Sequence, residues 1–166
     1  MKELRQWFSR TLPSRLPGVA RWLYARLGRK LVALFDSRIA DPVTDTFLEL
    51  LLLVMGLAFD LFPDYRENIR GFTGRYVFRT KANSIAATAD FRDGRMKVDA
   101  EGLADPNVSV VFRDGAAVRN FVRRNEEDVL ELLLSNDVAV EGNVNYLFRF
   151  GYLVHELRAI LPSPTR

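Results

Sequence analysis

The sequence has no cysteine and one histidine among 166 residues. Without cysteine there is no disulfide, no thiolate nucleophile and no Cys-ligated zinc, although the compartment is left open by that absence. The lone histidine, His155, has no second imidazole with which to hold a metal, so neither metal nor cofactor is expected. No G-x-S-x-G and no glycine-rich phosphate loop occurs. No apolar run reaches the ~20 residues of a membrane span. The nearest approach, within Phe47 to Phe62, has its uninterrupted core bracketed by Glu49 and Asp60. Met1 to Arg15 lacks an apolar core of signal-peptide length, which predicts a cytoplasmic protein. Asp60, Asp64 and Asp93 fall at predicted helix ends and turns, where capping accounts for them. No catalytic residue is assigned, and the chain reads as a non-enzyme.

What is present is an ordinary globular composition, 48% hydrophobic and 27% charged, with enough chain for a sizeable core. The charge is segregated. Met1 to Arg38 carries nine basic residues against Glu3 and Asp36, a net +7, which leaves −4 over the remainder. Residues 1–38 therefore read as a basic helical extension and 39–166 as one folded domain. In the extension, Leu4, Trp7, Phe8 and Leu12 form a short apolar stripe that ends at Pro13 and Pro17-Gly18. From Val19 to Phe35, Leu23, Tyr24, Leu27, Leu31, Leu34 and Phe35 share one side of a helix. Arg21, Arg26, Arg29 and Lys30 take most of the other, with Trp22 among them. Such a helix suits the headgroup region of an anionic bilayer, and it equally suits packing on its own domain with the arginines solvated. The candidate membrane-binding residues are Trp7, Phe8, Arg21, Trp22, Arg26, Arg29 and Lys30. Nucleic acid competes for the same arginines, but a nucleic-acid arm needs no clean apolar face, so none is expected.

In the domain, Asp41 caps a helix with Pro42 at its first position. That helix runs to about Phe62 and is apolar all round; it is expected to be buried in protein, with a membrane-inserted hairpin as the alternative. The period then changes to two. Strands are predicted over Arg75 to Thr80, Ser84 to Phe91 (Ile85, Ala87, Ala89 and Phe91 on one face), Arg95 to Ala100 and Val108 to Phe112. Phe-Arg-Asp-Gly occurs at 91–94 and again at 112–115. The first copy is expected to close a hairpin, and the second to cap a helix through Asp114. Short helices follow over Ala116 to Arg124 and Glu126 to Leu134, with Val118, Phe121, Val122, Val129, Leu130 and Leu133 turned inward. The chain is organised around Ser135 to Leu161, SNDVAVEGNVNYLFRFGYLVHELRAIL. A strand at Val138 to Val140 ends at Glu141-Gly142, and Asn143 caps a long helix. Tyr146, Leu147, Phe150, Leu153, Val154, Leu157, Ile160 and Leu161 fall in one wide arc of that helix.

The result is an α+β fold, a five-stranded, mostly antiparallel sheet covered by helices, with an N-terminal helical extension. The stretch from Asp93 to Leu161 resembles the sterol carrier protein 2 superfamily. The hairpin DGRMKVDAEG, the turn and strand ADPNVSVVF, the helical pair and VAVEGNVNYLFRFGYLVHEL carry the resemblance, with Gly142-Asn143 in place of that family's Gly-Asp or Gly-Asn before its closing helix. The resemblance implies an apolar tunnel between sheet and helices that holds an acyl, isoprenoid or sterol-like lipid. It also points to bacterial accessory proteins of ubiquinone synthesis, which have helical extensions. The candidate lining is Phe112, Phe121, Leu130, Leu133, Leu147, Phe150, Leu153, Val154 and Leu157. Ordinary core packing explains each of these singly; the ligand-binding reading concerns the set. The expected partners are a lipid ligand and an anionic membrane surface. The alternative is a cargo-free factor that docks a biosynthetic partner protein or forms a homodimer.

Overall fold

The computed structural model describes residues 17–36, 44–81, 86–99, 105–123 and 129–161. The expectations for Trp7, Phe8, the Asp41-Pro42 helix start, Ile85 and the first residues of the Glu126 helix lie outside the described residues. Helix α1 spans Pro17–Asp36, α2 Thr44–Leu61 and α3 Pro63–Glu67. Strands β1 (Gly74–Thr80), β2 (Ala86–Arg92), β3 (Arg95–Asp99) and β4 (Val108–Phe112) follow. Helices α4 (Gly115–Arg123) and α5 (Val129–Leu134), strand β5 (Val138–Gly142) and helix α6 (Val144–Ile160) complete the described chain.

Helix α2 is apolar all round because it has neighbours all round. It touches α1, α3, α4, α6 and strands β2 and β3, and Phe47, Leu51, Val54, Met55, Ala58 and Phe59 are buried. It is a core helix of protein, and no helix among the described residues is long and apolar enough to cross a membrane. Pro63 follows its end and opens α3 at the first turn, where its missing N–H costs nothing. Arg66 then closes the C-terminus of α2 by donating to the carbonyls of Phe59 and Asp60.

The sheet order is β3-β2-β1-β4-β5, with β1 and β4 parallel and the other three pairs antiparallel. On its core face Tyr76 lies beside Ala89, and Phe78 beside Ala87. The small residues of β2 leave room for the rings of β1. The hairpin β2–β3 pairs Arg92 with Arg95 around Asp93 and Gly94, both at positive φ (53° and 66°), a two-residue turn matched to strand twist. The second Phe-Arg-Asp-Gly does the other job: Asp114 Oδ1 accepts from the amide of Ala117 at 2.9 Å and caps α4.

One close approach ties strand to closing helix. Gly142 sits at φ 106°, and a Cβ there would lie 2.5 Å from the carbonyl oxygen of Asn107. Asn107 also accepts through Oδ1 from the Arg75 amide, donates its own amide to the Arg75 carbonyl, and accepts from the Asn143 amide. β1, β4 and the β5–α6 junction therefore converge on it. Gly94 is also at positive φ, 66° against 106°, but has open space where a Cβ would go. Gly94→Ala is expected to cost about 1 kcal/mol from backbone strain alone. Gly142→Ala adds a clash with rigid backbone and is expected to cost about 2–3 kcal/mol. Urea unfolding of both variants checks the order; equal losses would remove the convergence at Asn107 as the reason for Gly142.

Candidate functional site

Asn143 accepts from the amide of Asn145 through its side chain (3.0 Å) and starts α6 where expected. From that start, Leu147, Phe150, Leu153, Val154 and Leu157 all turn into the core. Phe150 is central. Its ring lies 4.6 Å from that of Phe78, 5.7 Å from Tyr76 and 6.1 Å from Phe121, which in turn meets Phe112 at 5.7 Å. A second group, Phe59 stacked on Tyr65 at 4.4 Å and crossed by Phe91, extends the interior under α2. Sheet, α2, α4 and α6 thus enclose one continuous apolar core.

Apolar contacts say which side of α6 is buried; hydroxyls fix how it is turned. Tyr76 donates to the carbonyl of Tyr146 (3.0 Å), Tyr65 to that of Leu153 (2.7 Å) and Tyr24 to that of Ile160 (2.9 Å). The three acceptors are spaced seven residues apart, two helical turns each, so they form one line down α6. Their donors come from β1, α3 and α1. Burial raises all three phenols, Tyr24 to about 12. On an adjacent side, Arg149 donates to the Asn68 carbonyl and lies over the rings of Phe72 (5.6 Å) and Tyr152 (5.3 Å), while Tyr152 donates to the Asn68 side-chain oxygen. None of these hydroxyls was singled out in the sequence, because the partners lie up to 136 residues apart.

Of the expected lining, Phe112, Phe121, Leu147, Phe150, Leu153, Val154 and Leu157 are buried together, and Leu133 is half-buried against them. Leu130 is not among them. It is 56% exposed, and Leu132 takes the buried place. In Val129-Leu-Glu-Leu-Leu-Leu134 several rotations look apolar, so the periodicity does not choose. The choice is made by the packing of α5 on α4 and β5, which turns Val129 and Leu132 inward and Leu130 out. Val129 lies at ordinary van der Waals distance from where a Cβ of Gly151 would be (3.7 Å).

Helix α1 packs its apolar side on protein. Tyr24 and Leu31 are buried, Leu23 and Leu27 half-buried, and Tyr24 meets Phe62 edge-on at 5.1 Å. The opposite side carries Arg21, Trp22, Arg26, Arg29 and Lys30, all exposed, with the Arg26 guanidinium 5.2 Å over the Trp22 ring. An open groove of about 340 Å³ lies elsewhere, at Pro63, Arg66, Glu67, Arg70 and Gly94. Its arginines are engaged, Arg66 with α2 carbonyls and Arg70 with Glu67.

The overall fold recurs in solved structures. A UbiJ-SCP2 ubiquinone synthesis protein superposes with a TM-score of 0.54 at 15% identity, over 74% of this chain and 98% of that one. The apo form of sterol carrier protein 2 from Yarrowia lipolytica gives 0.52 at 13% identity, over 72% and 95%. The fold is that of a sterol carrier protein 2 domain. No family model matches the sequence, and no curated protein does. The SCP2 fold accounts for five strands and the helices on them, with α6 as the closing helix.

The raised phenols have a consequence for alkaline stability. Tyr24 goes from an ordinary 10 to about 12 on folding. A phenol whose folded value lies above its unfolded one stabilises fully below the unfolded value and loses that contribution as pH climbs through the folded one. Stability should therefore be flat in this respect below pH ~10 and fall above it. Denaturation midpoints measured from pH 8 to 12 check this, and Tyr24→Phe should remove part of the slope. An unchanged slope would mean that Tyr24 ionises freely in the folded protein.

Proposed function

We propose that this protein binds a hydrophobic lipid, without chemistry, between its sheet and α6, and that it meets anionic membranes through the outer face of α1. One observation carries the first part: an SCP2 fold whose interior is a continuous set of large apolar side chains, assembled from sheet, α2, α4 and α6. Aromatic rings make up much of it, and their flat faces offer a long apolar chain a large contact area. An acyl, isoprenoid or sterol-like molecule fits such a site. The neighbours named for sterol carriage and ubiquinone synthesis favour that range.

A tail of roughly ten methylenes contributes ~8 kcal/mol gross at about 0.8 kcal/mol per CH₂. Ordering and the parting of the rings reduce that towards micromolar affinity. Displacement of a fluorescent fatty acid should saturate for the native chain. Leu153→Glu should abolish it, with circular dichroism checking the fold. The milder Val154→Phe should exclude long tails before short ones. The competing reading, a docking factor without cargo, is favoured by the exposed Leu130 and Leu134. Absence of saturable displacement for every lipid class would select it.

The membrane part now rests on the cationic face and on Trp22, since the apolar face of α1 is engaged with protein. Each Lys or Arg near an anionic leaflet contributes about 1 kcal/mol, and salt weakens it. Sedimentation with phosphatidylglycerol vesicles should occur at low salt and reverse at high salt. It should be lost in Arg26→Glu with Arg29→Glu. Equal binding of that double variant would remove α1 as the membrane surface.

A further inference from the structure

Leu23 and Leu27 of α1, Leu61 and Phe62 at the end of α2, and Ile160 and Leu161 at the end of α6 are all only half-buried. Tyr24 ties three of these helix segments together: its ring abuts Phe62 and its hydroxyl bonds the carbonyl of Ile160. Other half-buried apolar residues, such as Phe72, Met96 and Val98, edge the core elsewhere, but this group includes the half-buried leucines of the helix that carries the cationic face. Beneath this seam lie Tyr65 and Phe59, and the Tyr65 hydroxyl reaches the Leu153 carbonyl in the middle of α6. The seam is thus a thinly covered end of the apolar interior, and the helix that covers it carries the cationic face.

We propose that this seam is the entry for the lipid, and that α1 is its door, released by an anionic bilayer. The inference rests on the function proposed above and adds where the cargo enters and what controls it. Its physical basis is that the apolar side of α1 has two possible hosts. Docked, Tyr24 and Leu31 are covered by α2 and the end of α6. Undocked on a bilayer, the same side turns into the interface, as an amphipathic helix does. A bilayer can shift the equilibrium only by binding the open form better. It does so because undocking gives the apolar side a host in the interface while Arg21 and Lys30, which flank that side at 100° per residue, stay within reach of the headgroups. In water the open form has no host for Leu23, Tyr24, Leu27 and Leu31, so the door stays closed. Arg29, Trp22, Arg26 and Lys30 lie within roughly 100° of helix surface, so all four can face one plane.

The absence of cysteine makes a direct test simple. Ala33 of α1 and Ala159 of α6 are exposed. Spin labels on Ala33→Cys with Ala159→Cys should report one distance in water and with phosphatidylcholine vesicles. With phosphatidylglycerol vesicles a second, longer distance should appear. Tyr24→Phe removes one hydrogen bond from the closed form only, and should raise the open population about fivefold at a given anionic fraction. Uptake of a fluorescent fatty acid should accelerate in parallel. Vesicle-bound protein that keeps its single distance overturns the door while leaving membrane binding intact. Helix movement without faster uptake overturns the entry site. Failure to bind vesicles at all overturns the membrane reading, and the door with it. Loss of saturable fatty-acid binding in the unlabelled chain is separate, and strikes only the cargo.

Discussion

The position of α6 is the constraint on which the rest of the molecule depends, and three tyrosine hydroxyls set it. Hydrophobic burial is non-directional, so an arc as wide as Leu147 to Leu157 would be covered almost as well after a modest rotation. A hydroxyl aimed at a backbone carbonyl is directional. Bonds from Tyr76, Tyr65 and Tyr24 to carbonyls two turns apart fix both the rotation and the axial position of α6. The carbonyls of Tyr146 and Leu153 lie inside the helix and can accept a second bond through their other lone pair. That of Ile160 is in the last turn, where Tyr24 supplies a donor the helix does not. Once α6 is fixed, Gly151 meets Val129 and Phe121 at ordinary van der Waals distance, while α5 packs on α4 and β5 with Leu130 left exposed.

Local chemistry was legible in the sequence. The Asn143 cap, the end of β5 at Gly142, the Asp93-Gly94 turn and the Asp114 cap each follow from residue types acting on their immediate neighbours. The same tetrapeptide, Phe-Arg-Asp-Gly, closes a hairpin once and caps a helix once, because the residues that follow it alternate in one case and repeat helically in the other. Two things were not legible. The face of α5 was ambiguous in a run of leucines, and only its packing on α4 and β5 resolves it. The host of the apolar side of α1 was equally undetermined, since a bilayer and the α2 surface offer a leucine stripe the same reward per area.

The fold keeps apart what is rigid and what can yield. The frame is held by directional bonds: the sheet ladders, the Asn107 junction and the tyrosine bonds to α6. The interior is held by ring contacts, each worth about 0.5–1.5 kcal/mol beyond its buried area. In the binding mode proposed above, a lipid chain between Phe78, Phe121 and Phe150 would exchange that ring–ring increment for ring–methylene contacts, and burial of the chain itself would have to outweigh the loss. A core of interlocked β-branched side chains has no such option, because its side chains are stiff at χ1 and close packing leaves no alternative arrangement. For the proposed lipid carrier, the concentration of phenylalanine and tyrosine around Phe150, rather than any single residue, would be the part of the close-packed interior that yields, while the tyrosine hydroxyls hold the helix that encloses it.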